Sequence, residues 1–266
     1  VAENNPTVWQ ELLKFLFSAF QVPVKQSNKS LVRIVKENVT SGAKPSMSSG
    51  RWGPRTEDAD IVVAKRVQAK ISDFDVRGAV RVISSNDTLA RHSTTNYSEL
   101  LKKHPAPTRV QTPPPAPDDS IEPLTTDMVA VRQAIQTFPN GSSGGMDGLR
   151  PQHLKDLTSV SAGEAGITLL RSIVSMCNLM LAGKLHPDVC PFLYGASLCA
   201  LQKKDGGLRP IAIGSVWRRL VAKVGCIHVR EQAAAYLLPH QLGFGSKAGC
   251  EAAIHATLAF VKDRRS

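Results

Sequence analysis

Hydrophobic positions along the second half of the chain switch from helical to strand-like spacing and back again. Thr125 or Thr126 opens a predicted helix running to about Phe138, in which Met128, Val131, Ile135 and Phe138 form one apolar stripe. Pro139-Asn140-Gly141 ends it. Pro151 starts a second helix that reaches Leu157. The most apolar helix follows from Ile167 to Leu181, interrupted by Arg171, Ser172, Ser175 and Asn178, so it reads as a buried helix. Two shorter runs, Tyr194 to Leu201 and Leu208 to Ile213, have strand composition, with Ile211 and Ile213 expected to anchor the pair in the core. Between them Asp205-Gly206-Gly207 offers positive-φ positions for a tight reversal. Helical spacing resumes around Trp217 to Val224 and again in the Ala-rich stretch from Glu251 to Phe260.

The first half is broken by two polar stretches. Trp9 to Phe20 has helical spacing and is interrupted by Glu11 and Lys14, so it is not expected to be a secretory signal. Asn38 to Asp58 is rich in Ser, Gly and Pro and reads as a flexible linker. Ile61 to Ile71 is amphipathic, with Lys65, Arg66 and Lys70 on its polar side, and Phe74 to Ile83 continues in that style. Asn96 to Glu99 resembles a capping box opening the helix through Lys103. His104 to Pro123 holds seven prolines and predicts an extended spacer. The expected organisation is a helical segment over 1–37, a linker over 38–58, a small basic helical segment over 59–103, a Pro-rich linker over 104–123 and a main unit over 124–266. The basic segment admits two readings, a template-binding element or a helical packing unit with its charges in water.

Charge narrows the partners. The chain carries a formal net charge of +11, and from Cys199 onward eleven basic residues face four acidic ones. Such a surplus favours anionic partners through counterion release. No apolar run approaches the roughly 18 to 20 residues that cross a bilayer, so no membrane partner is expected. Cys177, Cys190, Cys199, Cys226 and Cys250 lack metal-ligand spacing and read as reduced core thiols of an intracellular protein, cytoplasmic or nuclear.

Lys203, Lys204 and Arg209 surround the predicted turn and would gather on one projecting hairpin, suited to phosphates or simply to keeping a sheet edge solvated. Asp147, beside Gly144, Gly145 and Gly148, reads as a turn-former in a mobile loop that lets backbone approach a ligand. Phe244, between Gly243 and Gly245, is either a base-stacking ring or a buried anchor.

In order, Gly145-Met146-Asp147-Gly148, the Lys203-Lys204-Asp205-Gly206 hairpin ending in Arg209-Pro210-Ile211, the basic helix from Trp217 and Gln241-Leu242-Gly243-Phe244 resemble the fingers region of a reverse transcriptase of the non-LTR retrotransposon type. The resemblance runs from about Thr125 to the end. It departs from the family pattern at Leu201-Gln202, where Pro is usual, and at Gly245-Ser246-Lys247, where Arg often follows the Phe. It implies an α/β to α+β fold, mostly helical, comprising polymerase fingers with a small antiparallel hairpin and an incomplete palm, preceded by a helical, partly disordered extension. It further implies that Lys203 and Arg209 contact an incoming deoxynucleoside triphosphate. Lys204, Arg218, Arg219, Lys223, Gly243 and Phe244 would contact the RNA template, with primer DNA as the other partner. The intact enzyme would use Mg2+ on carboxylates of a later strand and a Tyr-x-Asp-Asp hairpin. This chain ends before both, and Asp263 between Lys262 and Arg264 reads as a solvated helix end. The expectation is therefore a truncated polymerase fragment with no catalytic or metal-binding residue of its own, or alternatively a non-enzymatic nucleic-acid-binding protein derived from a retroelement.

Overall fold

The structure, a computed structural model, describes residues 5–20, 31–42, 59–72, 74–85, 88–91, 93–104, 120–203 and 205–264, together with 106, 108 and 118. In chain order its elements are α1 (Pro6–Ala19), α2 (Leu31–Ser41), α3 (Ala59–Ser72), α4 (Val76–Ser84), β1 (Thr88–Leu89), α5 (Thr94–Lys103), α6 (Met128–Gln136), α7 (Pro151–Leu157), α8 (Gly163–Leu181), α9 (Cys190–Tyr194), β2 (Ala196–Gln202), β3 (Leu208–Gly214), α10 (Val216–Leu237) and α11 (Gly249–Asp263). Among the described residues the chain is mostly helical with one small antiparallel sheet, ordered β1-β2-β3.

The core forms where α6, α8 and α10 bury their apolar faces together. Val131, Ala134 and Ile135 come from α6, Leu170, Ile173, Met176 and Cys177 from α8, and Val216, Trp217, Leu220 and Val224 from α10. The stripe predicted for α6 is thus the buried one, but its cap is not Thr125 or Thr126. Asp127 caps it, its Oδ1 accepting from the Ala130 N–H at 2.8 Å. A carboxylate there both satisfies an orphan donor and faces the positive end of the helix dipole. Thr126 is held otherwise: its N–H donates to Asn178 Oδ1 at 2.7 Å, and Asn178 Nδ2 donates back to its carbonyl at 3.2 Å. Asn178, which in the sequence only interrupts an apolar helix, thereby ties the entry of α6 to α8.

Helix α8 begins at Gly163, earlier than expected. Counted from the short turn at Val160, it is long and apolar enough to cross a bilayer by length and composition, contrary to the sequence expectation that no run approaches that length. One face of it is core: Leu170 and Cys177 are fully buried.

The amino-terminal helix is part of this same core rather than a separate segment. Trp9 is wholly buried and Leu16 nearly so, both within the α6–α8–α10 cluster. The end of α1 is fixed by Phe20, which stacks on His153 of α7 at 4.2 Å and 14°. Helix α2 packs on α1, where Asn38 Nδ2 donates to the Ala19 carbonyl at 3.3 Å. It extends to Ser41, so the predicted linker over 38–58 starts later, and 43–58 fall outside the described residues, as does most of the Pro-rich stretch.

The 59–103 segment is not wholly helical. Thr88 and Leu89 pair with Gln202 and Leu201, adding an edge strand to the sheet. Helices α3 and α4 pack on each other across a reversal at Phe74 (φ 56°), clasped by a 2.9 Å ion pair between Lys70 and Asp75. Asp75 also caps α4 by accepting from Gly78 N–H, and a Cβ at residue 78 would strike that carboxylate. Ser93, accepting from Asn96 N–H at 3.1 Å, caps α5 three residues before the predicted box, because Asn96 is turned back to the Arg91 carbonyl.

The cysteines are also not all core. Cys177 is buried, and loss of hydration pushes its thiol up to about 12, whereas Cys226 and Cys250 are exposed. Alkylation of the native protein followed by mass spectrometry is expected to modify Cys226 and Cys250 first and Cys177 only after denaturation. Replacing Trp9 by Ala should cost about 3–5 kcal/mol in urea denaturation; a loss below about 1 kcal/mol would mean that α1 is not docked in the core.

Candidate nucleic-acid interface

Strands β2 and β3 form a hairpin with an unbroken register from Ala196↔Gly214 to Gln202↔Leu208. Its loop is closed by the Lys203 N–H donating to the Gly207 carbonyl at 2.8 Å and the Gly206 N–H donating to the Lys203 carbonyl at 3.1 Å. Asp205 Oδ1 accepts from the Gly207 N–H at 2.9 Å. Of the expected positive-φ positions only Gly206 is one, at 79°, where a side chain would be strained. Leu201 lies opposite Arg209. The Lys203–Gly207 bond continues the ladder by one pair, so alternation places Lys203 on the same face as Arg209. Arg209 is exposed and Lys203 half-buried. Lys204 lies outside the described residues. Leu208 is the buried side chain of β3, whereas Ile211 and Ile213 are half-buried and stay outside the main core, because the hairpin stands on the body through its base.

Beyond β3, Ser215 caps α10 by accepting from the Trp217 N–H at 3.3 Å, and the cationic helix begins. Its three predicted template contacts point in two directions. Arg218 Nη1 donates to the Tyr194 carbonyl at 2.8 Å, at the entry to β2, and its guanidinium occupies the space a Cβ at Gly214 would need. Arg219 and Lys223, one turn apart, reach the end of α6 instead. Arg219 Nη1 donates to the Ser143 carbonyl at 2.7 Å, while Lys223 Nζ donates to Thr137 Oγ1 at 3.2 Å and to its carbonyl at 3.4 Å. Both cations lie over the Phe138 ring, 5.3 and 4.9 Å from its centroid. Partial burial draws the Arg219 guanidinium below its usual pKa range.

Lys155, which the sequence reading did not single out, completes this arrangement. Its Nζ donates to the Phe138 carbonyl at 2.7 Å and to Asn140 Oδ1 at 3.1 Å. Helix C-termini leave carbonyls without intrahelical donors and carry partial negative charge. Lys155, Arg219 and Lys223 supply both the donors and the opposite charge to α6 and the loop after it. No periodicity announces this, since the three residues come from two helices that meet only in the fold.

The glycine loop expected to be mobile is closed on itself. Gly145 N–H donates to the Leu149 carbonyl and Gly148 N–H to the Gly145 carbonyl, each at 3.2 Å. Asp147 is the turn-former expected, with Oδ1 accepting from the Leu149 N–H at 3.2 Å. Yet its side chain is buried, Oδ2 has no hydrogen-bond partner, and burial raises the carboxyl above its usual range despite the backbone bonds. Burial likewise lowers His153, whose Nδ1 accepts from the Arg150 N–H.

Gly243 and Phe244 sit at the far end of α10. Gly245 packs against Ala234, about 27 Å along the helix from Val216. Gln241 Oε1 accepts from the Gly243 N–H at 2.6 Å, and Phe244 is 40% exposed, outside the main core. The predicted template residues are therefore split between two ends of one helix. Among the described residues no three metal-ligating side chains gather.

Because the folded protein holds the Asp147 proton more tightly than the unfolded chain, stability should fall as pH rises through the window above the ordinary value of 3.8. Asp147→Asn keeps an oxygen for Leu149 and loses this dependence. In denaturation series the variant should gain about 1 kcal/mol on the parent across that window and keep that margin at neutral pH; a difference that ignores pH would show that burial of the carboxylate carries no cost.

Compared with known proteins, the chain matches no family model, no curated protein and no solved structure.

Proposed function

We propose that this chain is the fingers region of an RNA-directed DNA polymerase of the non-LTR retrotransposon type, and that it binds RNA and an incoming deoxynucleoside triphosphate through the β2–β3 hairpin. The observation that carries this reading is the hairpin register, which places Lys203 and Arg209 on one face beside a tight loop. The two cations suit different parts of a nucleotide. A flexible ammonium follows the phosphates, whereas a planar guanidinium offers a hydrogen-bonding fork and a flat face for a base. The formal charge of +11 would add long-range attraction for either polyanion.

Within α10 the reading narrows. Arg218, Arg219 and Lys223 already donate to carbonyls of their own chain, so template contact by them would have to use their remaining donors. Polymerisation by such enzymes needs Mg2+ on paired carboxylates. Neither candidate here fits that role: Asp147 is buried within a turn and Asp263 stands exposed at the end of α11. The proposal is accordingly confined to binding.

Filter binding of single-stranded RNA over a salt series tests it. RNA affinity should fall steeply with salt, and in a parallel titration with a deoxynucleoside triphosphate Lys203→Ala with Arg209→Ala should weaken nucleotide binding about tenfold. Unchanged nucleotide affinity would remove the hairpin from the interface. RNA binding that depends on the hairpin without any nucleotide binding would point to the non-enzymatic alternative.

A further inference from the structure

Helix α11 departs from the core helices in one respect: every residue from Cys250 to Asp263 is exposed. Only its first residue is buried, because Gly249 sits under the Leu242 carbonyl where a Cβ would collide. Ile254, Leu258 and Val261 recur at i, i+4 and i+7 and form one apolar stripe along the helix. Ile254 and Leu258 are 58% and 60% exposed. A helix of 15 residues is marginal in water by itself, and such helices are normally held by burying an apolar face against another element.

The charges beside the stripe identify the partner. At about 100° per residue, Glu251 and Lys262 fall on the same edge of the stripe, one in the first turn and the other in the last. Within one helix they stand about 16 Å apart along the axis, too far to pair. On the opposite edge Arg264 is turned onto the Phe260 ring of its own helix, 5.0 Å from the centroid. A polyanion or an anionic bilayer would be met by cations all along an edge. An edge with an acid at one end and a base at the other is instead complementary to itself when reversed. A two-fold axis between Ala256 and Thr257 sets Glu251 of each copy beside Lys262 of the other, and brings Ile254 to within about one residue of the opposing Leu258. Opposed helix dipoles favour the same antiparallel arrangement. Each charge also suits the dipole end at which it stands, but that role requires no exposed apolar stripe between them.

We propose that α11 is a self-association surface, pairing antiparallel with α11 of a second copy of this chain through Ile254, Leu258 and Val261. A helix about 22 Å long offers a small contact, so the dimer is weak, with a Kd on the order of 10 μM. The surface shares no residue with the hairpin and stands independently of the polymerase reading.

The test uses the full chain in reducing buffer. Sedimentation equilibrium from about 1 to about 200 μM should show a monomer–dimer equilibrium. Hydrogen exchange at the two ends of that range should show the α11 amides slowed at the higher concentration, with those of the rest of the chain unchanged. Leu258→Glu should raise Kd at least about tenfold. Glu251→Lys should raise it about tenfold, because two like-charge contacts replace two ion pairs, and Glu251→Lys with Lys262→Glu should return it to within about threefold of the parent. On mild oxidation no Cys250–Cys250 link should form, since antiparallel pairing holds these residues about 20 Å apart. A monomer throughout, α11 exchange that ignores concentration, association that survives Leu258→Glu, a double charge swap that does not restore it, or a Cys250 link would each overturn the proposal. The exchange measurement uses the unaltered chain, so it decides the question even where a variant fails to fold.

Discussion

The carboxyl end of α6 is the point on which the neighbouring elements converge. Val131, Ala134 and Ile135 draw the helix into the core, and its last carbonyls then need donors that the helix cannot provide. Lys155 from α7 and Lys223 from α10 provide them, while Arg219 extends the same attachment to Ser143. Phe138, almost fully buried, presents its ring face to Arg219 and Lys223. Because α10 is fixed both by this end and by Leu220 and Val224 in the core, its amino terminus is fixed too. Ser215 and β3 follow directly from it, so the hairpin is carried on a rigid base.

That dependence changes how the basic character of the carboxyl-terminal half should be understood. A positive stripe on a helix reads naturally as a surface for phosphates, yet three of its members serve first as donors to carbonyls of the same chain. Arg218 holds the junction of α9 and β2, and Arg219 and Lys223 hold α6. An arginine in such a position retains further donors, so structural use and ligand contact are compatible. On the hairpin, Lys203 and Arg209 share one face, and the loop between them is closed by backbone and by Asp205.

The glycine loop connects the two ends of this arrangement. Arg219 holds one end at Ser143, and the closed turn at Gly145 to Leu149 delivers Asp147 to a buried position. A carboxylate kept there without a full set of donors is a cost that the rest of the fold must support, and such groups concentrate where a protein binds something. The cavity beside it is lined by Leu13 and Phe17 of α1, so the amino-terminal helix borders this loop rather than merely preceding it in the chain.

Much of the local structure was legible from local chemistry. The apolar stripe of α6, Pro151 at the start of α7, the two short apolar runs and the Asp205-Gly206-Gly207 reversal each follow from spacing or from a residue's own conformational preference. The sequence alone therefore determined that the second half would alternate helices with one cationic hairpin. It did not reveal that Thr88 and Leu89 pair with β2, that Asn178 clamps Thr126, or that Trp9 joins the core. Nor did it show that Lys155 and Lys223 meet at α6, or that Asp147 is buried beside a cavity. These were decided by the tertiary structure, because each joins groups far apart in the chain, and a residue's neighbours in sequence carry no record of which distant donor or hydrocarbon surface will be packed against it.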